Sequence, residues 1–281
     1  MLTERSERVK HASKLTRRAG RAKAGQFLAE GPQAVREALA AHTVTNDHRG
    51  QRNDRPCLVR DLFVGEAAAL RHADLVDAAI AEGVAVDHAD DGALAALSET
   101  VTPQGIVAVC DAIAVPVDAV IKTGPRLLAV LAEVRDPGNA GTVIRCADAA
   151  GAGGVVLTNG SVDPFGGKAV RASAGSVFHV PIAPGADLAE TAAAARTAGM
   201  TVIAADGRGQ LTLDEAADQG MLARPVAWVF GNEAWGMSET TLRDADEIVR
   251  VPIYGRAESL NLATAAAVCL YATARAQRST H

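Results

Sequence analysis

Three stretches of this 281-residue chain concentrate side chains that can hold charge or move a proton. RDPGNAGTVIRCADAAGAGGVVL, from Arg135 to Leu157, carries Asn139 and Arg145. VFGNEAWGM, from Val229 to Met237, carries Glu233, and VPIYGRAESLNLA, beginning at Val251, carries Ser259 and Asn261. A guanidinium is a permanently charged fork that matches a phosphate. A carboxylate in a Gly-flanked turn can position a substrate or receive a proton. Each residue also has a plainer reading: Arg145 can pair with Asp148 at i+3 on a helix surface, Glu233 can cap local amides, and Ser259 or Asn261 can cap the small-residue helix that follows. Val143, Cys146, Ala147 and Ala150 recur at i, i+3, i+4 and i+7, so they form a buried helix face and leave Arg145 off it. Gly141, a turn before Arg145, leaves room for a bulky substrate.

These stretches need elements to present them, and the sequence around them alternates. RLLAVLAEV reads as a strand, TVIRCADAAGA as a helix and GVVLT as a strand. A loop rich in Gly and Ser follows, then FHVPI as a strand, a helix over Leu188 to Ala198, and strands at TVIAAD, PVAWVFG and EIVRVPI before the closing helix. Such βαβ alternation predicts a parallel sheet covered on both faces, with ligands beyond the carboxyl ends of its strands. The three polar stretches sit at such ends. A dinucleotide fold is excluded: GAGG at 151–154 precedes its strand, the fingerprint from DGRG at 206–209 fails at Thr212, and no Walker phosphate loop occurs.

The first half reads as a smaller α/β domain. FLAEG is a short strand, Gly31-Pro32 opens a helix with Val35 and Leu39 buried, and the polar run from Ala41 to Pro56 is a loop without periodicity. CLVRDLFVG, VAVDH and GIVAVC are strands separated by helices over EAAALRHADLVDAAIAEG and ALAALSE. Composition shifts divide the chain into a basic arm over 1–25, a domain over 26–111, a Pro/Gly-punctuated linker over 112–125 and a domain over 126–281. Net charge is −5, against nonspecific nucleic-acid binding by the whole surface, yet eight Lys and Arg crowd the first 25 residues beside only Glu4 and Glu7. Arg17, Arg18 and Arg21 belong to that cluster. The four cysteines are scattered without a CxxC pair and fit a reducing cytoplasm; no run is long and apolar enough for a membrane span or a signal peptide. His42, His48 and Cys57 lack metal-ligand spacing, so no metal is expected. Aromatic residues make up 3%, too few for recognition by rows of stacked bases.

PGNxGxxxR, GNExxGM and PxxxxxxSLNxA, in this order, resemble the three motifs of the SpoU/TrmH branch of the SPOUT RNA methyltransferases, which move a methyl from S-adenosyl-L-methionine to a ribose 2′-hydroxyl. FLAEG and TPQGIVAV resemble the substrate-binding domain that precedes the catalytic domain in many members. The resemblance implies a C-terminal parallel-sheet domain with a trefoil knot behind a small α/β RNA-binding domain, a homodimer, and ribosomal RNA as the foremost substrate. Transfer RNA, or a catalytically silent RNA-binding factor, are the alternatives. It implies Asn139, Arg145, Glu233, Ser259 and Asn261 as the active site, and Phe230, Gly231, Val251, Ile253, Leu260 and Leu262 around the cofactor. Lys168 and Arg171, in a loop of small residues, join Arg17, Arg18 and Arg21 as candidate RNA contacts.

Overall fold

Two groups of apolar runs build two separate sheets. The computed structural model describes residues 1–47, 58–232 and 236–279. The chain falls into two compact units, one of residues 1–113 with 165–179, the other of residues 114–164 with 180–281.

The first unit holds β1 (Gln26–Glu30), β2 (Val59–Val64), β3 (Ala85–His88) and β4 (Ile106–Asp111), in the order β1-β4-β2-β3. β4 runs antiparallel to both neighbours, and β2 and β3 are parallel. Every residue of β4 is buried, which its unbroken apolar run requires of a central strand. The first 25 residues are not a free arm. They form helices Glu7–Ser13 and Arg18–Ala24 around a 3₁₀ turn, Lys14–Thr16. Val9, Ala12 and Leu15 bury against Leu28, Phe63, Leu94 and Leu97, so an apolar stripe beneath the basic residues ties the segment down.

Other expectations shift for similar reasons. The helix Pro32–Asp47 continues through the start of the polar run, because His42 is fully buried and its Nδ1 accepts from the Val59 amide at 3.1 Å. His48, Cys57 and the rest of 48–57 lie outside the described residues. The helix expected over 66–83 breaks at His72 into Glu66–Arg71 and Ala73–Ala81. The Gly/Ser-rich loop after β6 contains a helix, Gly167–Ser173, and this stretch packs in the first unit. There Phe165 and Phe178 flank Phe27 with ring centroids 5.1 and 5.8 Å away.

The second unit carries β5 (Leu127–Leu131), β6 (Val155–Thr158), β7 (Ile182–Ala186), β8 (Thr201–Ala205), β9 (Leu211–Thr212), β10 (Val226–Phe230) and β11 (Glu247–Arg250). All seven are parallel, in the order β7-β6-β5-β10-β8-β11-β9. One face buries Leu128, Val130, Val202, Ala227 and Val229 with Val120 and Ala195. Val120 belongs to a helix, Val117–Lys122, so the expected linker supplies core. Helices Pro137–Ala150 and Leu262–Arg278 pack together, and the latter is sewn to the sheet where Trp228 Nε1 donates to Thr273 Oγ1 at 2.8 Å. FHVPI becomes strand only from Ile182, EIVRVPI stops at Arg250, and β9 with helices Leu213–Asp218 and Glu239–Arg243 was not anticipated.

Candidate functional site

β5 and β10 lie side by side with every residue buried, and the chain leaves their carboxyl ends in opposite directions across the sheet. Such a reversal opens a crevice. Beyond β5, the Ala132 amide extends the pairing to Phe230 O at 2.8 Å, and the next residue, Glu133, adopts φ 52°. This left-handed conformation is uncommon for a residue with a Cβ. It is held from two sides: the Glu133 amide donates to Thr158 Oγ1 at 3.0 Å, and Asn232 Nδ2, from the turn after β10, donates to Glu133 O at 2.9 Å. Glu133, Arg135, Asn232, Gly236, Met237 and Thr241 help line a cavity of ≈ 210 Å³ there.

The helix Pro137–Ala150 begins at this edge. Asp136 caps it by accepting from the Asn139 amide at 2.8 Å, and Pro137 occupies its first turn, where a missing N–H costs nothing. The Asn139 side chain turns toward the third stretch: Asn261 Nδ2 donates to Asn139 Oδ1 at 3.1 Å. Asn261 Oδ1 simultaneously caps the last helix, accepting from the Ala263 and Thr264 amides at 2.9 and 3.4 Å. Asn261, not Ser259, is therefore the cap; Ser259 is exposed. Asn232 links the second stretch to the first, and Asn261 links the third to the first, so all three meet at one end of the sheet.

Arg145 stands about 9 Å farther along its helix from Asn139, six residues at 1.5 Å each. It is exposed and makes no hydrogen bond or ion pair among the described residues, so the pair with Asp148 does not form. The predicted buried face holds at Val143, Ala147 and Ala150, with Ala140, Gly141 and Ile144 added, but Cys146 is only half-buried. Gly141 itself is buried. Burial pushes the Cys146 thiol up, with the Arg145 charge opposing. Glu233 lies outside the described residues.

Around the expected cofactor residues the chain is irregular from Val251 to Asn261. Val251, Leu260 and Leu262 are half-buried and Ile253 is exposed. Phe230 differs: its ring is 1% exposed and stacks on Trp228 at 6.1 Å, so its side chain is core. Gly231 is buried, and a Cβ on it would lie 2.3 Å from Met237 Cγ; the close approach that glycine permits is that of Met237. Sequence reasoning missed Arg208. Its guanidinium donates to Asp206 Oδ1 at 2.8 Å, Glu239 Oε1 at 3.0 Å and Met237 O at 2.6 Å, tying the loop after β8 to the turn after β10. The Arg208 side chain holds the Asp206 carboxyl below its ordinary range against the opposing effect of burial. No sequence pattern announces this clamp.

The candidate RNA contacts separate. Arg17 and Arg18 are exposed, whereas Arg21 is buried and donates to Leu15 O and Thr16 O at 2.8 and 3.0 Å. Lys168 is exposed, and Arg171 donates to Glu30 Oε2 at 2.6 Å, with Glu30 also accepting from Ser98 and Thr100 hydroxyls. No cluster of three metal-binding side chains occurs among the described residues, and no described helix is long and apolar enough to cross a membrane.

Comparison with known proteins bears on both units. Residues 126–271 match the SpoU rRNA Methylase family, and residues 6–108 match the MRM3-like substrate binding domain. The chain is 32% identical over 267 residues to a Bacillus subtilis protein named 23S rRNA (guanosine(2553)-2′-O)-methyltransferase RlmP, covering 95% of this chain and 96% of that protein. A crystal structure of an AdoMet-bound rRNA methyltransferase from Sinorhizobium meliloti superposes with TM-score 0.77 at 29% identity, covering 98% of this chain and 97% of the other. The SpoU methyltransferase AviRb from Streptomyces viridochromogenes, in complex with AdoMet, gives TM-score 0.76 at 27% identity, covering 98% of this chain and 100% of that one. With three polar stretches converging at the carboxyl end of a parallel sheet and these matches running nearly end to end, the chain belongs to the SpoU rRNA methylase family.

Proposed function

We propose that this protein methylates a ribose 2′-hydroxyl of 23S ribosomal RNA, using S-adenosyl-L-methionine, as a cytoplasmic homodimer. The observation that carries the reading is the bonding of Asn232 to Glu133 O and of Asn261 to Asn139, which gathers the three stretches at one crevice. The residues present suit the cofactor. Half-buried Val251, Leu260 and Leu262 offer apolar flanks for an adenine ring. When bound, S-adenosyl-L-methionine supplies a methyl group already activated by its sulfonium.

The chain's own task is to bring a neutral hydroxyl, a poor nucleophile, into line and to stabilise the charge it develops. The Arg145 guanidinium is a permanent cation and no general base. It therefore acts as an electrostatic anchor, holding a phosphate next to the target ribose and stabilising the developing alkoxide. Asn139 and Asn261 fix the floor on which that ribose rests, and Glu233 and Ser259 complete the polar set. In the same reading the last helix faces a second copy through Val268 and Tyr271, which are 40% and 53% exposed three residues apart, and the segment from Val251 to Asn261 forms the knotted crossing.

The test is to incubate the protein with methyl-labelled cofactor and, separately, naked 23S RNA, large subunits and transfer RNA, then map the modified ribose. One labelled 2′-hydroxyl in 23S RNA is expected. Label on transfer RNA would redirect the substrate, and absence of transfer to all three would overturn the reading.

A further inference from the structure

The two N-terminal helices and the 3₁₀ turn between them enclose a groove of ≈ 1120 Å³ on the first unit. Its walls include Arg8, Lys10, His11, Lys14, Arg17 and Lys23, with Glu7 as the acidic member. These cations are not equivalent. Arg8 is engaged by Asp61 and by Asp87, the latter at 2.6 Å, and Lys10 pairs with Glu7 at 2.9 Å. Lys14, Arg17 and Lys23 are exposed, and among the described residues their side chains form no hydrogen bond or ion pair. Three positive charges, of which Lys14 also acts on the Glu7 carboxylate, thus line one concavity on a chain whose net charge is −5.

The groove is built rather than incidental. Val9, Ala12 and Leu15 anchor its floor in the core. Arg21, directed inward, bonds Leu15 O and Thr16 O and so staples the second helix to the turn. Gly20 sits where a Cβ would fall 1.9 Å from Lys14 O, so only glycine lets the two segments approach this closely. Cations held on a rigid concave surface lose little freedom when an anion binds. No Phe, Tyr or Trp lines the walls, which removes base stacking and leaves contact with phosphate and sugar.

We infer that this groove is a docking site for the sugar–phosphate backbone of the RNA substrate, gripped by Lys14, Arg17 and Lys23 without regard to base sequence. The inference rests on the proposed function for the identity of the RNA, and gives the first unit a defined contact surface. Arg21 is excluded from it, and Arg18, exposed but not lining the groove, contributes little.

The test uses the full chain carrying Lys14→Gln, Arg17→Gln and Lys23→Gln together, with 23S RNA binding measured by filter retention over a series of salt concentrations. Each lost phosphate contact flattens the log–log salt dependence by about 0.7–0.9, so the triple variant loses roughly two to three units of slope and binds weakly at low salt. Its KM for RNA rises, its cofactor affinity by calorimetry stays that of the parent, and the methylated nucleotide is unchanged. Glu7→Gln, which removes the groove's anion and releases Lys10, tightens RNA binding; Arg18→Gln shifts the slope by less than one contact. An unaltered slope and affinity in a folded triple variant overturns the groove assignment while leaving methyl transfer intact. Failure of the parent to methylate any RNA would instead sink the functional reading, and the binding series would still report on the groove.

Discussion

Asn261 does two jobs with one side chain, and substitution can separate them. Its Oδ1 caps the last helix while its Nδ2 reaches Asn139. Asn261→Ala should cost about 1 kcal/mol of stability through loss of the cap and should also impair methyl transfer. Asn261→Asp keeps a capping acceptor but has no amide to give Asn139. It is expected to melt close to the parent and yet to turn over as poorly as the alanine variant. Full turnover in Asn261→Asp would show that the Asn139 bond is dispensable. Arg145→Lys keeps the charge but loses the planar fork, and a drop in kcat of about a hundred- to a thousand-fold is expected, the range for deleting one preorganised charge-stabilising donor. Single-turnover methyl transfer reads it directly. The capping role of this Asx residue was legible because it depends on neighbours two and three positions away. Its reach to a side chain 122 positions earlier was not, because no local pattern encodes a long-range partner.

Two clamps define the behaviour of whole elements. Arg208 lowers the Asp206 carboxyl, so the folded state binds that proton less readily than the unfolded chain. The stabilisation is therefore fully present above the unfolded carboxylate value, about 3.9, and is lost as pH falls through the lower folded value. Urea titrations should show Asp206→Asn weaker than the parent at pH 7, with the gap closing in strong acid. A gap that stays constant with pH would exclude the ion pair as its source. On the other unit, Glu30 is almost fully buried and pairs with Arg171, whose side chain is 20% exposed. Glu30→Ala strands that guanidinium and two hydroxyls, and a loss of about 3–5 kcal/mol is expected, measured by chemical unfolding. Elements with a strong apolar pattern, such as the β5 and β10 strands and the helix from Thr142 onward, were readable in advance, whereas the helix's first residues, Pro137 to Gly141, were not. Gly167–Ser173 was not, since GKAVRAS has the composition of a loop and becomes helix because Ala169 and Val170 bury. FHVPI was misplaced because a short apolar run fits a strand or a buried turn equally well.

For the molecule as a whole, parallel architecture was legible because central strands buried on both faces must be continuously apolar. What the sequence concealed is which segment serves which unit. The basic lead belongs to a core by virtue of Val9, Ala12 and Leu15, and the supposed linker contributes Val120. The proposed dimer makes its own prediction: Tyr271→Glu, placed on the outward side of the last helix, should shift sedimentation from dimer to monomer, and an unchanged coefficient would move the contact elsewhere.

The excursion of residues 165–179 carries a consequence for how the protein is made. Phe165, Arg171 and Phe178 complete the first unit, yet they are synthesised more than fifty residues after its last strand ends at Asp111. Domains ordinarily acquire their fold as they leave the ribosome, amino end first. Here the leading half must wait, with Glu30 lacking its arginine, until part of the trailing sheet has already been translated. A gene cut at the sequence boundary would yield one fragment short of a helix and another burdened with it. Returning residues 165–179 to the first fragment takes more than a short turn in their place, because Pro164 lies past the carboxyl end of β6 and Val180 at the amino end of the parallel β7, a pair that only a crossover can connect.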